Sequence, residues 1–115
     1  MQITFLYYED CPSHDTALER LKTVLAEKNV QADVQVVKIE TEAQAQKWRF
    51  IGSPTILVDG RDIDPPGPET VPALTCRAYR LEDGRISPLP SKEMIRRALK
   101  TAERDVGDWR LEIRD

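Results

Sequence analysis

The chain has 115 residues, of which 40% are hydrophobic and 32% charged, and its formal net charge at pH 7 is −3. This size suits one domain around one hydrophobic core, and the weak negative charge argues against a nucleic-acid-binding protein. No apolar run approaches the ~20 residues of a membrane span, and the N-terminus lacks the features of a signal peptide. We therefore expect a single cytoplasmic domain, residues 1–115, that is a monomer or weak dimer and has no nucleic-acid or membrane partner.

The first half of the chain alternates between strand and helix patterns. Residues 3–8 form a continuous run of apolar and β-branched residues, which predicts a strand covered on both faces. Between Ser13 and Asn29 the apolar residues fall on one helical stripe, so a helix is predicted there. A second strand is predicted over 33–39. The sequence Thr41-Glu42-Ala43-Gln44 is a capping box, which predicts a short helix to about Trp48.

The second half begins with a hairpin and ends with a helix. Residues 55–58 and 61–63 flank Asp59-Gly60, the pattern of a tight β-hairpin. A Pro-rich loop at 64–68 follows, then a less regular extended piece at 76–81 and a turn at 83–84. Ser91 is a suitable N-cap for a last helix over 92–104. The apolar alternation in 108–115 is compatible with either an added edge strand or a loose end.

Chemistry is concentrated where the first strand meets the first helix, in Cys11-Pro12-Ser13-His14. A helix N-terminus offers unpaired N–H groups and a partial positive charge, which favour a reactive thiolate at Cys11. The alternative is a structural cysteine at a helix cap. His14, one turn on, could act as a general acid or a neighbouring cation, or be an ordinary polar residue of the first turn. Ser13 could donate to the sulfur or cap the helix, and Pro12 suits the first turn.

The element order, together with Cys11-Pro12-Ser13-His14 and Ser53-Pro54-Thr55, resembles the thioredoxin family over about residues 3–63 and the last helix. The resemblance implies a three-layer α/β sandwich. Its central mixed sheet has about four strands with helices on both faces, and a Pro-rich insertion and an extended piece precede the last helix. It also implies a cis Ser53–Pro54 bond beside a nucleophilic Cys11. A strand-initiating trans proline is the alternative at this position.

His14 departs from the family pattern, because it stands where the second cysteine of the usual Cys-x-x-Cys motif lies. The motif is similar to that of small bacterial thioredoxin-like proteins, some of them selenoproteins, with a Cys-Pro-x-His sequence. On this resemblance, the loop at 64–75 begins on the active-site side and keeps Cys76 within reach of Cys11. Cys76 could then resolve a mixed disulfide, or be a buried apolar residue. Arg77 could stabilise a thiolate or an anionic ligand, or be an ordinary surface arginine.

These features predict a thiol–disulfide oxidoreductase, or a related thiol-dependent redox protein, acting on a thiol or disulfide substrate, either a protein or a small molecule such as glutathione. The expected catalytic residues are Cys11, His14, Ser13 and Cys76, and the expected substrate-binding residues are Pro54, Ser53 and Pro12. We expect no cofactor and no metal, because one histidine and two distant cysteines lack the paired spacing of zinc sites. The alternative is a non-enzymatic binding module of the same fold for a thiol-avid metal, an organomercurial or a partner protein.

Overall fold

A computed structural model describes residues 1–11, 13–67 and 69–102. Within these ranges the chain forms a mixed four-stranded sheet, a separate two-stranded ladder and three helices. The strands are β1 (Gln2–Tyr7), β2 (Asp33–Lys38), β3 (Thr55–Val58), β4 (Arg61–Asp62), β5 (Tyr79–Arg80) and β6 (Ile86–Ser87). The helices are α1 (His14–Glu27), α2 (Glu42–Trp48) and α3 (residues 92–102). The predictions for Pro12, for the end of the last helix and for 108–115 fall outside the described residues.

The main sheet has the strand order β2-β1-β3-β4. β1 and β2 are parallel neighbours joined through α1, as a right-handed strand–helix–strand crossover predicts. β3 lies antiparallel to β1, with Ile3 opposite Val58, and β4 lies antiparallel to β3. The carboxyl end of β1 and the start of β3 therefore lie at the same edge of the sheet.

Two apolar clusters lie on opposite faces of this sheet, because successive strand residues point to opposite sides. One cluster packs Ile3 and Phe5 of β1 against α1 and α3. The other packs Leu6 of β1 against Ala45 of α2 and the buried Phe50. The helical stripe expected in the first helix is confirmed, with Ala17, Leu21 and Val24 of α1 buried.

Local sequence signals account for several element boundaries. Gln44 N–H donates to Thr41 Oγ1 and Thr41 N–H donates to Gln44 Oε1, which confirms the capping box of α2. The β3–β4 turn places Asp59 at φ 50° and Gly60 at φ 84°, the left-handed conformations that an Asp-Gly hairpin turn requires. At the start of α3, Met94 N–H donates to Ser91 Oγ, as predicted.

Two local predictions need correction. The piece at 76–81 is a strand only at Tyr79–Arg80, and its partner β6 was not predicted because a two-residue strand carries no periodic signal. Ser13 occupies the N-cap position of α1 but its side chain makes no capping hydrogen bond, since its φ of −77° and ψ of −8° are helical. Among the described residues, the helices are too short or too polar to cross a bilayer.

Candidate functional site

Cys11 and Cys76 are joined by a disulfide bond, with an S–S distance of 2.11 Å and a Cα–Cα distance of 5.7 Å. Cys11 follows β1 and precedes α1, and its N–H donates to the Tyr8 carbonyl. Only 1% of Cys11 is exposed, whereas Cys76 is an exposed residue. The sequence allowed this pairing, but the alternative of a buried apolar Cys76 is wrong.

The segment carrying Cys76 lies in parallel beside residues 50–53. Ala73 N–H donates to the Phe50 carbonyl at 2.9 Å. Ser53 N–H donates to the Thr75 carbonyl at 2.8 Å, and Arg77 N–H donates to the Ser53 carbonyl at 2.9 Å. Both backbone polar groups of Ser53 are therefore paired with the residues on either side of Cys76.

The loop of residues 52–55, whose last residue begins β3, links this segment to the end of β1 through hydrogen bonds. The Ser53–Pro54 bond is cis, as predicted. Ser53 is fully buried, and its Oγ accepts a hydrogen bond from Tyr8 N–H at 3.0 Å. Thr55 Oγ1 donates to the Gly52 carbonyl at 2.6 Å. Ser53 thus contacts the β1 end through its side chain and the Cys76 segment through its backbone.

Arg77 links the Cys76 segment to β4 through an ion pair. Its guanidinium donates to both carboxylate oxygens of Asp62, at 2.8 and 2.9 Å, and also to the Asp64 carbonyl and Thr55 Oγ1. The two ion-pair side chains are 5% and 12% exposed. Burial is the largest single effect and disfavours the charged guanidinium, but the hydrogen bond to Asp62 and the electrostatic interactions with Tyr79, Asp62 and Asp64 together outweigh it and raise the pKa of Arg77. The reading of Arg77 as a surface arginine is therefore wrong.

Tyr79 completes the contact between the two chain segments. Its hydroxyl donates to the Pro54 carbonyl, and Arg77 Cζ lies 4.4 Å from its ring centroid. Burial raises the pKa of the Tyr79 phenol strongly, and the charge of Arg77 offsets only part of that effect. Sequence reasoning missed Tyr79 and Asp62, because nothing local to either residue indicates that Arg77 will be its neighbour.

His14 is the first residue of α1, three positions after Cys11. Its Nδ1 lies 3.2 Å from Asp15 Oδ1, and its ring stacks on Tyr7 with a centroid distance of 4.6 Å. Neither contact involves a sulfur atom. The catalytic roles expected for His14 and Ser13 stay predictions, and Pro12 lies outside the described residues.

The site therefore brings together Cys11, Cys76, Ser53 and Pro54 and adds Arg77, Asp62 and Tyr79 around them. In the part of the chain that the structure describes, no group of three or more His, Cys, Asp or Glu side chains is placed to hold a metal ion. No protein-family model, curated protein or solved structure matches this chain.

Proposed function

We propose that this protein is a thiol–disulfide oxidoreductase of thioredoxin-like architecture, with Cys11 and Cys76 as its redox pair. The element order, the mixed sheet with apolar clusters on both faces and the cis Ser53–Pro54 bond support the architecture. The observation that carries the function is the Cys11–Cys76 bond beside Ser53 at the edge of the sheet, with one of its two residues exposed. A disulfide reached from solvent on one side can exchange with an external thiol.

The reaction needs two thiols and transfers two electrons. One substrate thiolate attacks the protein disulfide, forming a mixed disulfide and releasing one cysteine of the pair as a thiolate. A second substrate thiolate attacks the substrate sulfur of that mixed disulfide, so the substrate disulfide leaves and the protein holds two thiols. Run in reverse, the dithiol reduces a substrate disulfide, and no cofactor is required in either direction.

The test is reversible exchange followed by turnover. The protein is equilibrated in reduced and oxidised glutathione at several ratios, quenched in acid, and its free thiols are counted by alkylation and mass spectrometry. We expect a single two-electron transition and an acceleration of insulin disulfide reduction by dithiothreitol. Cys11→Ser and Cys76→Ser should each abolish the transition and the acceleration, because each variant lacks one thiol of the redox pair.

The competing outcome is a disulfide that stays intact in excess reduced glutathione. The bond would then be structural, and the protein would fit the alternative of a binding module. Turnover, and not affinity for an organomercurial, separates the two hypotheses, because any accessible thiol of the chemically reduced protein would bind an organomercurial.

A further inference from the structure

The two sulfurs of the disulfide differ in how a thiol from solvent can reach them. Exchange proceeds by attack of a thiolate on one sulfur while the other leaves, and access decides which sulfur is attacked. Cys11 is 1% exposed, between the end of β1 and the start of α1. Cys76 is exposed, as are Thr75 before it and Ala78 two positions after it, although Arg77 between them is buried. A thiol from solvent therefore reaches the disulfide more easily at Cys76 than at Cys11.

The surroundings of the bond also limit the kind of thiol that can enter first. An extended polypeptide that bound beside Pro54 by strand-like pairing would compete for the backbone groups of Ser53. Both are already bonded, to the Thr75 carbonyl and to Arg77 N–H, and Ser53 is fully buried. A small thiol needs no backbone pairing and only an approach to Cys76. The oxidised site thus fits a low-molecular-weight thiol better than an extended protein segment.

We infer that a low-molecular-weight thiol of the glutathione class attacks Sγ of Cys76, and that Cys11 is the leaving sulfur. This inference rests on the proposed function and assigns the order of events within it. A bond forms between the substrate sulfur and Cys76, and the Cys11–Cys76 bond breaks. The electron pair of that bond remains on Cys11, which becomes a thiolate. Cys76 is then the residue that carries substrate, and Cys11 is the residue that closes the disulfide again.

The position of Cys11 suits a leaving group. A thiol that is more acidic leaves faster, and the N-terminal end of a helix favours a negative charge. Cys11 lies three residues before the first residue of the fourteen-residue helix α1. Solvent access at Cys76 and charge stabilisation at Cys11 therefore both favour attack on Cys76 with Cys11 as the leaving sulfur. The roles expected from the motif alone, with Cys11 as the nucleophile that carries substrate and Cys76 as the resolving cysteine, are exchanged.

The experiment maps the mixed disulfide formed in the oxidised wild-type protein. The protein is mixed with excess reduced glutathione for short, increasing times and quenched in acid, which stops exchange. Digestion with pepsin at low pH then places Cys11 and Cys76 on different peptides for mass spectrometry. We expect glutathione on the Cys76 peptide at least tenfold more often than on the Cys11 peptide at the earliest times.

A matched pair of variants gives a second measurement. Chemically reduced Cys11→Ala and Cys76→Ala proteins each retain one thiol, and each is treated with oxidised glutathione. The Cys11→Ala protein should form its adduct at least tenfold faster. Adducts mainly on Cys11 in the wild type, or equal rates in the pair, would overturn this assignment while leaving the oxidoreductase proposal in place. The absence of any adduct in the wild type would overturn both.

Discussion

Arg77 shows how one side chain can hold a site together without contacting the reacting atoms. It follows Cys76 directly, and its guanidinium is bonded to Asp62 on β4 and to the carbonyl of Asp64. A buried ion pair contributes little to folding stability relative to an apolar pair of the same shape. Removing one partner, however, leaves an unpaired charge in the interior. The pair therefore matters mainly because it places the backbone beside Cys76 in one position.

The substitution Asp62→Asn tests this reading. We expect it to lower the free energy of unfolding of the oxidised protein by about 3 kcal/mol, because Arg77 would stay buried without a counter-charge. Urea denaturation measures the loss. The control is Asp83→Asn, which removes the charge of an ion pair between Arg85 and Asp83, whose side chains are 76% and 53% exposed, and it should leave the free energy of unfolding nearly unchanged. Equal losses in the two variants would contradict the role given to Asp62.

The burial of Tyr79 leads to a separate prediction about how folding stability depends on pH. Burial raises the pKa of its phenol above the unfolded-state value of about 10, so folding favours the protonated form. The contribution of the protonated, buried phenol to stability is fully present below about pH 10 and is lost as the pH rises further. Tyr79→Phe should lower stability by about 1 kcal/mol near pH 8, through loss of the hydrogen bond to the Pro54 carbonyl. Above pH 10 the gap between wild type and variant should narrow in urea unfolding curves, and parallel curves would contradict the linkage.

At the scale of elements, the site depends on two irregular segments that fit closely together. Residues 73–77 pair with 50–53 although neither belongs to a named strand of the main sheet. The approach is close at Gly52, where φ is +148° and an added Cβ would lie 2.8 Å from Arg77 Cβ and 2.9 Å from Arg77 Cα. Only glycine satisfies both the conformation and the contact.

Gly52→Ala should therefore push the Cys76 segment away from the loop of residues 52–55. We expect a loss of about 3 kcal/mol in unfolding free energy, since backbone atoms of Arg77 must shift to admit the methyl group. Gly60→Ala is the matched control, because Gly60 also has a positive φ, +84°, but nothing lies within 4 Å of its added Cβ. It should cost only about 1 kcal/mol. Re-formation of the disulfide after reduction should slow in Gly52→Ala and not in Gly60→Ala.

At the scale of the whole molecule, the disulfide connects the main sheet to a part of the chain outside it. It joins residues 65 apart in sequence, so it restricts the unfolded chain over a long loop. The chain-entropy model gives about 4 kcal/mol for a loop of this length. We expect the melting temperature to fall on reduction by on the order of 10–20 °C. Calorimetry with and without reductant measures the shift, and a Cys11→Ser/Cys76→Ser protein should not respond to reductant.

Sequence predicted the main sheet well, because its signals are local. The apolar run of β1, the stripe of α1 and the capping residues Thr41 and Gln44 of α2 each reveal their element within a few residues. The surroundings of the disulfide were not predicted to the same extent. Burial of Arg77 depends on Asp62, fifteen residues away, and the pairing of 73–77 with 50–53 has no repeating pattern. Such contacts arise from tertiary packing, which one sequence does not display.

The bond between Cys11 and Cys76 also changes the connectivity of the polypeptide. It turns residues 11–76 into a closed ring that carries β1 on one tail and β5, β6 and α3 on the other. One cut in a ring opens it without dividing the molecule. Cleavage near Val71, which is 74% exposed, should therefore leave a single species on a non-reducing gel and two fragments after reduction. The redox state of one bond decides whether a nicked chain remains one covalent molecule.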